Sequence, residues 1–127
     1  HSIIGKLAEL DIEFWEWAIP YLGDDIKVVL YADDFGVQNG PVFSHTMFEQ
    51  YFKPWYTKIF STIKANNPNL YLFFHSCGAT RYIIPDLIEL GIDILNPIQV
   101  SAKGMGNPPV WLAPSLPIFD SPGAVQT

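Results

Sequence analysis

The chain has 127 residues, 49% of them aliphatic, aromatic or cysteine and only 16% charged, with a net charge of −6. That length suits one domain, and the low charge (a typical domain carries ~25%) implies a sizeable core. Seven basic residues with a single arginine, Arg81, argue against a nucleic-acid partner, and no apolar run approaches the roughly 18 residues of a membrane helix.

The N-terminus lacks a basic stretch followed by a short apolar core, so no signal peptide is read. One cysteine, Cys77, excludes an internal disulfide and fits a reducing cytoplasm.

Ile3, Leu7, Leu10, Phe14, Trp17 and Tyr21 follow a helical stripe. Pro20 and Gly23 are expected to close that helix. Ile26 to Ala32 is short, apolar and rich in β-branched residues, which predicts a strand covered on both faces. Asp33 to Ser44 reads as a long loop. A second stripe follows at Phe48, Phe52, Trp55, Ile59 and Ile63. Ser44 or Thr46 is its candidate cap, and Pro54 is expected to kink it. Asn66, Asn67 and Pro68 end it. Leu70 to His75 is the second predicted strand. Thr80 to Leu90 holds a short helix, with Pro85 near its start and Gly91 as its stop. Ile92 to Leu95 is the third strand.

Helices alternating with strands in this way predict an α/β fold with a parallel sheet. An open doubly wound sheet and a (β/α)8 barrel both fit. Both place chemistry at the C-terminal ends of the strands. The organisation read from the chain is one partial domain over residues 1–103 and an irregular tail over 104–127. That tail carries five prolines and one charged residue, Asp120.

Three groups of polar residues stand at the predicted strand ends. His75 and Cys77 are two residues apart on an extended backbone, so their side chains share a side. Imidazole and thiolate both suit zinc, which needs one or two further donors. Asp33, Asp34 and His45 are the candidates within the chain. A buried cysteine beside a hydrogen-bonded core histidine is the plainer alternative. Asp33 and Asp34 suit a general acid, a general base or a hard metal ligand, against a simple turn-capping role. Asn96 and Gln99 offer amides to a substrate, or merely end a strand. Gly36 to Gly40 lacks the Lys-Ser/Thr of a P-loop, and a plain loop is the simpler reading. The aromatics at helical spacing, Trp15, Trp17, Phe48, Phe52 and Trp55, read as core, and Lys103 as a solvated charge.

Three stretches together are specific: Asp33-Asp34-Phe35-Gly36-Val37-Gln38-Asn39-Gly40-Pro41, His75-Ser76-Cys77-Gly78, and Gly91-Ile92-Asp93-Ile94-Leu95-Asn96-Pro97-Ile98-Gln99. With Phe52-Lys53-Pro54-Trp55 they resemble the uroporphyrinogen decarboxylase superfamily, over roughly Ile3 to Met105. The closer resemblance is to its methylcobalamin:coenzyme M methyltransferase-like, corrinoid-dependent branch.

The resemblance implies a (β/α)8 TIM barrel, of which this chain would supply about three parallel strands with outer helices. Such a barrel needs about 250 residues, so the chain reads as a fragment, inactive alone. The resemblance also implies zinc held by His75 and Cys77, with a second cysteine that this chain lacks. It implies a methylcorrinoid donor and a thiol acceptor or a corrinoid protein as partner. Gln38, Asn39, Asn96 and Gln99 are the substrate-binding candidates. Asp33 and Asp34 are the catalytic candidates. Two other functions remain beside zinc-dependent methyl transfer: porphyrinogen decarboxylation, as in porphyrin biosynthesis, and a non-catalytic remnant. An open three-strand sheet would expose apolar surface, so a homo-oligomer that completes the barrel is a further expectation.

Overall fold

The structure, a computed structural model, describes residues 2–106. Most of the expected tail, from residue 107 onward, lies outside the described residues.

Helix α1 spans Ile3–Leu22. Ser2 caps it by accepting a hydrogen bond from the Gly5 N–H, and Gly23 (φ 62°) ends it. Pro20 sits inside the last turn rather than closing the helix. Strand β1 is Val28–Ala32. The expected long loop contains a small antiparallel hairpin, β2 Gly36–Val37 with β3 Gly40–Pro41. Ser44, not Thr46, is the cap that follows: its hydroxyl accepts from the Met47 N–H at 3.2 Å.

One helical turn, α2 His45–Met47, then passes into a π-helical turn, Phe48–Phe52. Helix α3, Lys53–Asn66, follows with Pro54 in its first turn. The kink expected at Pro54 is thus realised as this wider turn, in which Lys53 N–H bonds to Phe48 O. A proline ring clashes with the carbonyl four residues back, and widening the turn relieves it. Strand β4 is Tyr71–His75. A 3₁₀ turn, Arg81–Ile83, leads into α4 Ile84–Glu89, with Pro85 in its first turn. Gly91 (φ 84°) follows its end, and Ile92 N–H bonds back to Leu87 O. Only a glycine takes that conformation cheaply, so Gly91 stops the helix as the sequence implies. Strand β5 is Ile94–Asn96, and a cis peptide joins Asn96 to Pro97.

Strands β1, β4 and β5 form one parallel sheet in that order. With its helices this is an α/β fold, consistent with part of a (β/α)8 barrel. The register aligns Leu30, Phe73 and Ile94 in one row and Ala32, His75 and Asn96 in the next. The other face carries Val29, Leu72, Phe74 and Leu95, all buried beneath Tyr56, Ile59, Phe60, Ile63, Ile84 and Leu87. Ala102 and Met105 close the core beyond β5.

Two expectations fail on burial. Strand β1 is covered on one face only: Val28 and Leu30 are 45% and 59% exposed, while Val29 is buried. The described helices all lie on the other side, and the exposed face is the one a closed barrel would turn inward.

The second failure is in α1, which carries two apolar stripes. Gly5, Ala8, Ala18 and Ile19 are buried, whereas Ile3, Leu7, Leu10, Phe14, Trp17 and Tyr21 are exposed. Trp17 is therefore not a core aromatic. Close approach to α3 selects the stripe of small residues: a Cβ on Gly5 would come within 2.8 Å of the Trp55 ring.

Candidate functional site

Strand alternation decides which polar residues meet. Ala32 points to the inner face, so Asp33 points outward and Asp34 inward. Asp33 accepts a hydrogen bond from the Tyr56 hydroxyl on α3. Burial, together with the Asp33 charge, pushes the Tyr56 phenol well above its ordinary range, so it stays a donor. Asp33 thus belongs to the helix layer, away from the other strand-end groups.

Asp34 turns the other way. Its Oδ1 accepts from the Cys77 N–H at 2.9 Å. His75 and Cys77 share the inner side as their spacing implies, with His75 Nε2 and Cys77 Sγ 3.2 Å apart. His75 Nδ1 lies 3.1 Å from Asn96 Oδ1 on the neighbouring strand. If Nδ1 carries the proton, Nε2 presents its lone pair toward the thiol. The ligating atoms of Asp34, His75 and Cys77 all lie within 4.8 Å of one another.

A tetrahedral zinc with ordinary bond lengths would separate a histidine nitrogen and a cysteine sulfur by about 3.6 Å. The observed pair needs to open by only a few tenths of an ångström. A carboxylate completes three protein donors, and the Asn96 contact is the kind of outer hydrogen bond that orients a ligating imidazole. The donor set therefore fits zinc. Burial raises the Cys77 pKa, and the Asp34 charge adds to it. Without a cation the group is a thiol at neutral pH.

The backbone around this cluster is tightly fixed. The loop after β4 lies directly against the loop after β1. A Cβ on Gly36 would come within 2.5 Å of Ala79 N, and one on Gly78 (φ 80°) within 2.6 Å of Gly36 O. Ser76, fully buried, accepts from the Phe35 N–H at 3.0 Å, and Ala79 N–H bonds to Val37 O at 3.1 Å. Two glycines at this crossing are what allow Asp34 and Cys77 to meet.

The expected substrate-binding amides divide in the same way. Gln99 accepts from the Gly78 N–H at 2.8 Å and donates to Gln38 Oε1 at 2.8 Å, and Gln38 reaches Ser101 O. These two side chains brace the loop that carries Cys77. Asn96 holds His75. Asn39 lines a separate cleft beside the hairpin. His45, the other sequence candidate for a metal, is instead 2.7 Å from Asp86 Oδ2, and Lys53 Nζ donates to Asp86 Oδ1 at 2.8 Å. Asp86 is buried, which disfavours its charge, but the hydrogen bonds from Lys53 and His45 outweigh that and lower its pKa. This tie fastens the segment around the π turn to α4. Sequence reasoning missed it because its members are 33 and 41 residues apart and share no motif.

Among the described residues no helix is long and apolar enough to cross a membrane. No curated protein and no solved structure matches the chain. One family model does match, that of Uroporphyrinogen decarboxylase (URO-D), over residues 1–97. The matched span runs from α1 through β5 and contains Asp34, His75, Cys77 and Asn96. It takes in the three strands and the crossing of the two loops, and on that match the chain belongs to the uroporphyrinogen decarboxylase family.

Proposed function

We propose that this chain carries part of the active site of a zinc-dependent methyltransferase that moves a methyl group from a corrinoid to a small-molecule thiol. The observation that supports this reading is the His75–Cys77 pair, 3.2 Å apart, with Asp34 in the same cluster. Porphyrinogen decarboxylation needs no such soft donor pair.

Zinc, when bound, would take up the acceptor's sulfur and favour its thiolate form at neutral pH. The chain's own residues do the rest. His75 and Cys77 are the ligands, and Asp34 is a third donor. Asn96 keeps the His75 ring in one orientation. Gln99, braced by Gln38, holds the Gly78 amide and so fixes the backbone at Cys77. Phe73 and Leu30, one row below His75 on the inner face, form an apolar floor under the site. An apolar floor suits a methyl group and a corrin ring better than water. The same inner face requires further strands to close over it, from a longer chain or from a second copy.

Zinc content of the purified chain and a thiol methylation assay with a methylcorrinoid test the reading. The account expects one zinc per chain, and affinity at least about a hundredfold lower in Cys77→Ser. Zinc affinity should also fall as the pH is lowered, because the Cys77 thiol, its pKa raised by burial and by Asp34, must lose its proton to bind. Unchanged zinc affinity in Cys77→Ser contradicts the reading. Turnover of a porphyrinogen without metal would favour decarboxylation instead.

A further inference from the structure

The chain is acidic, and among the described residues carboxylates match three of its seven cations. Lys6 pairs with Glu9, Lys53 with Asp86 and Glu89, and Lys64 with Asp93. Lys58 lies over the Trp55 ring, 4.5 Å from its centroid. Of the rest, Arg81 and Lys103 both line a single cleft of about 460 Å³. Its other walls are Asn39, Gly40, Tyr82 and neighbouring backbone, and among the described residues no acidic side chain lines it.

We propose that this cleft binds an oxyanion, a carboxylate or phosphate group, with Arg81 and Lys103 as its two cationic contacts. Three features carry the inference. Two like charges line one cleft in a protein of net charge −6, where carboxylates to neutralise them are plentiful elsewhere. Among the described residues Arg81 donates one hydrogen bond, to Gly104 O at 3.2 Å, and a guanidinium has five donors. The walls are also fixed to rigid parts. Lys103 N–H bonds to Gln38 O at 2.9 Å, and Tyr82 donates from its hydroxyl to Phe35 O at 3.1 Å. Burial pushes the Tyr82 phenol up to about 12. Tyr82 thus brings no negative charge to the cleft at neutral pH.

Ala79 in the cleft's wall is two residues along the chain from Cys77. Binding at the cleft needs no metal, so it stands or falls separately from the proposed methyl transfer.

The test is calorimetric titration of the full, metal-free chain with inorganic phosphate, and in a parallel arm with acetate. Binding in either arm should weaken about tenfold in Lys103→Gln, as loss of a charge-assisted contact implies. Arg81→Gln should do the same. Lys27→Gln removes the same charge at the opposite end of β1 and should change nothing, which separates a local site from net charge. Preference for phosphate over acetate would assign a dianion to the cleft, and the reverse a carboxylate. Absence of binding in both arms, or equal losses in Lys27→Gln and Lys103→Gln, overturns the proposal. Zinc content of the same samples reports on the metal site independently.

Discussion

The two faces of the β1–β4–β5 sheet carry similar residues and meet opposite environments. On one, Val29, Leu72, Phe74 and Leu95 are buried under α3 and α4. On the other, Val28, Leu30 and Tyr71 are largely exposed, and the last row is Ala32, His75 and Asn96. The difference separates two tasks. The helix-covered face supplies stability. The open face ends in the donor cluster, and its apolar rows below have no cover among the described residues. In a barrel these rows fill the interior beneath a site at the strand ends.

Truncation should separate the faces most sharply. Phe74→Ala removes a fully buried ring that contacts Tyr56, Phe60 and Phe35, and should cost about 3–5 kcal/mol. Leu30→Ala on the open face should cost less than about 1 kcal/mol. Urea unfolding of the two variants compares them directly. Equal costs would mean that the open face is covered in solution, and a concentration-dependent midpoint would identify a second copy as the cover.

A smaller effect tests the loop crossing. Gly78→Ala forces a Cβ into the backbone of Gly36 at a positive φ, and should cost on the order of 1–3 kcal/mol while weakening metal binding. Gly91→Ala has a similar φ of 84° but open space around it. It should cost only about 1 kcal/mol and leave metal affinity unchanged. Thermal melts with and without zinc distinguish the two. Asn96→Ala should lower zinc affinity by roughly 10- to 100-fold through loss of the His75 contact. Competition with a chromophoric chelator measures it.

The smallest effect concerns the thiol itself. Burial and the Asp34 charge both raise its pKa, so less thiolate is present at neutral pH than in a free cysteine. Alkylation of the metal-free chain by iodoacetamide should therefore be slow near pH 7 and speed up as pH rises. Asp34→Asn removes the charge, lowers the pKa and should speed alkylation a few-fold near pH 7, with the two proteins converging at high pH. An unchanged rate would mean that burial alone sets the reactivity.

Much of this arrangement is legible in the sequence where local chemistry decides it. The β-branched and aromatic runs locate all three strands to within two residues, and Gly91 marks the end of α4. Period-2 alternation places His75 and Cys77 on one side. Carried one residue further, the same rule would have separated Asp33 from Asp34. What long-range packing decides is hidden. Either stripe of α1 can face a core, and only the fit of Gly5 against Trp55 chooses between them. The hairpin at Gly36–Pro41 is two residues per strand, too short to show a period. The π turn answers Pro54, but the sequence shows only that some distortion must occur there. The bracing of Gly78 by Gln99 and Gln38 joins positions 21 and 61 residues apart, and no local pattern reports it.

Cobalt titration of the metal-free chain tests the central claim most directly. The account predicts one Co²⁺ per chain, with a thiolate-to-metal charge-transfer absorption in the near ultraviolet. That absorption should vanish in Cys77→Ser, weaken in His75→Ala, and persist in Asp33→Asn, whose carboxylate faces the helix layer. Cobalt bound without that absorption, or an absorption that survives loss of His75 unchanged, would contradict the assignment of His75 and Cys77 as a metal-ligand pair.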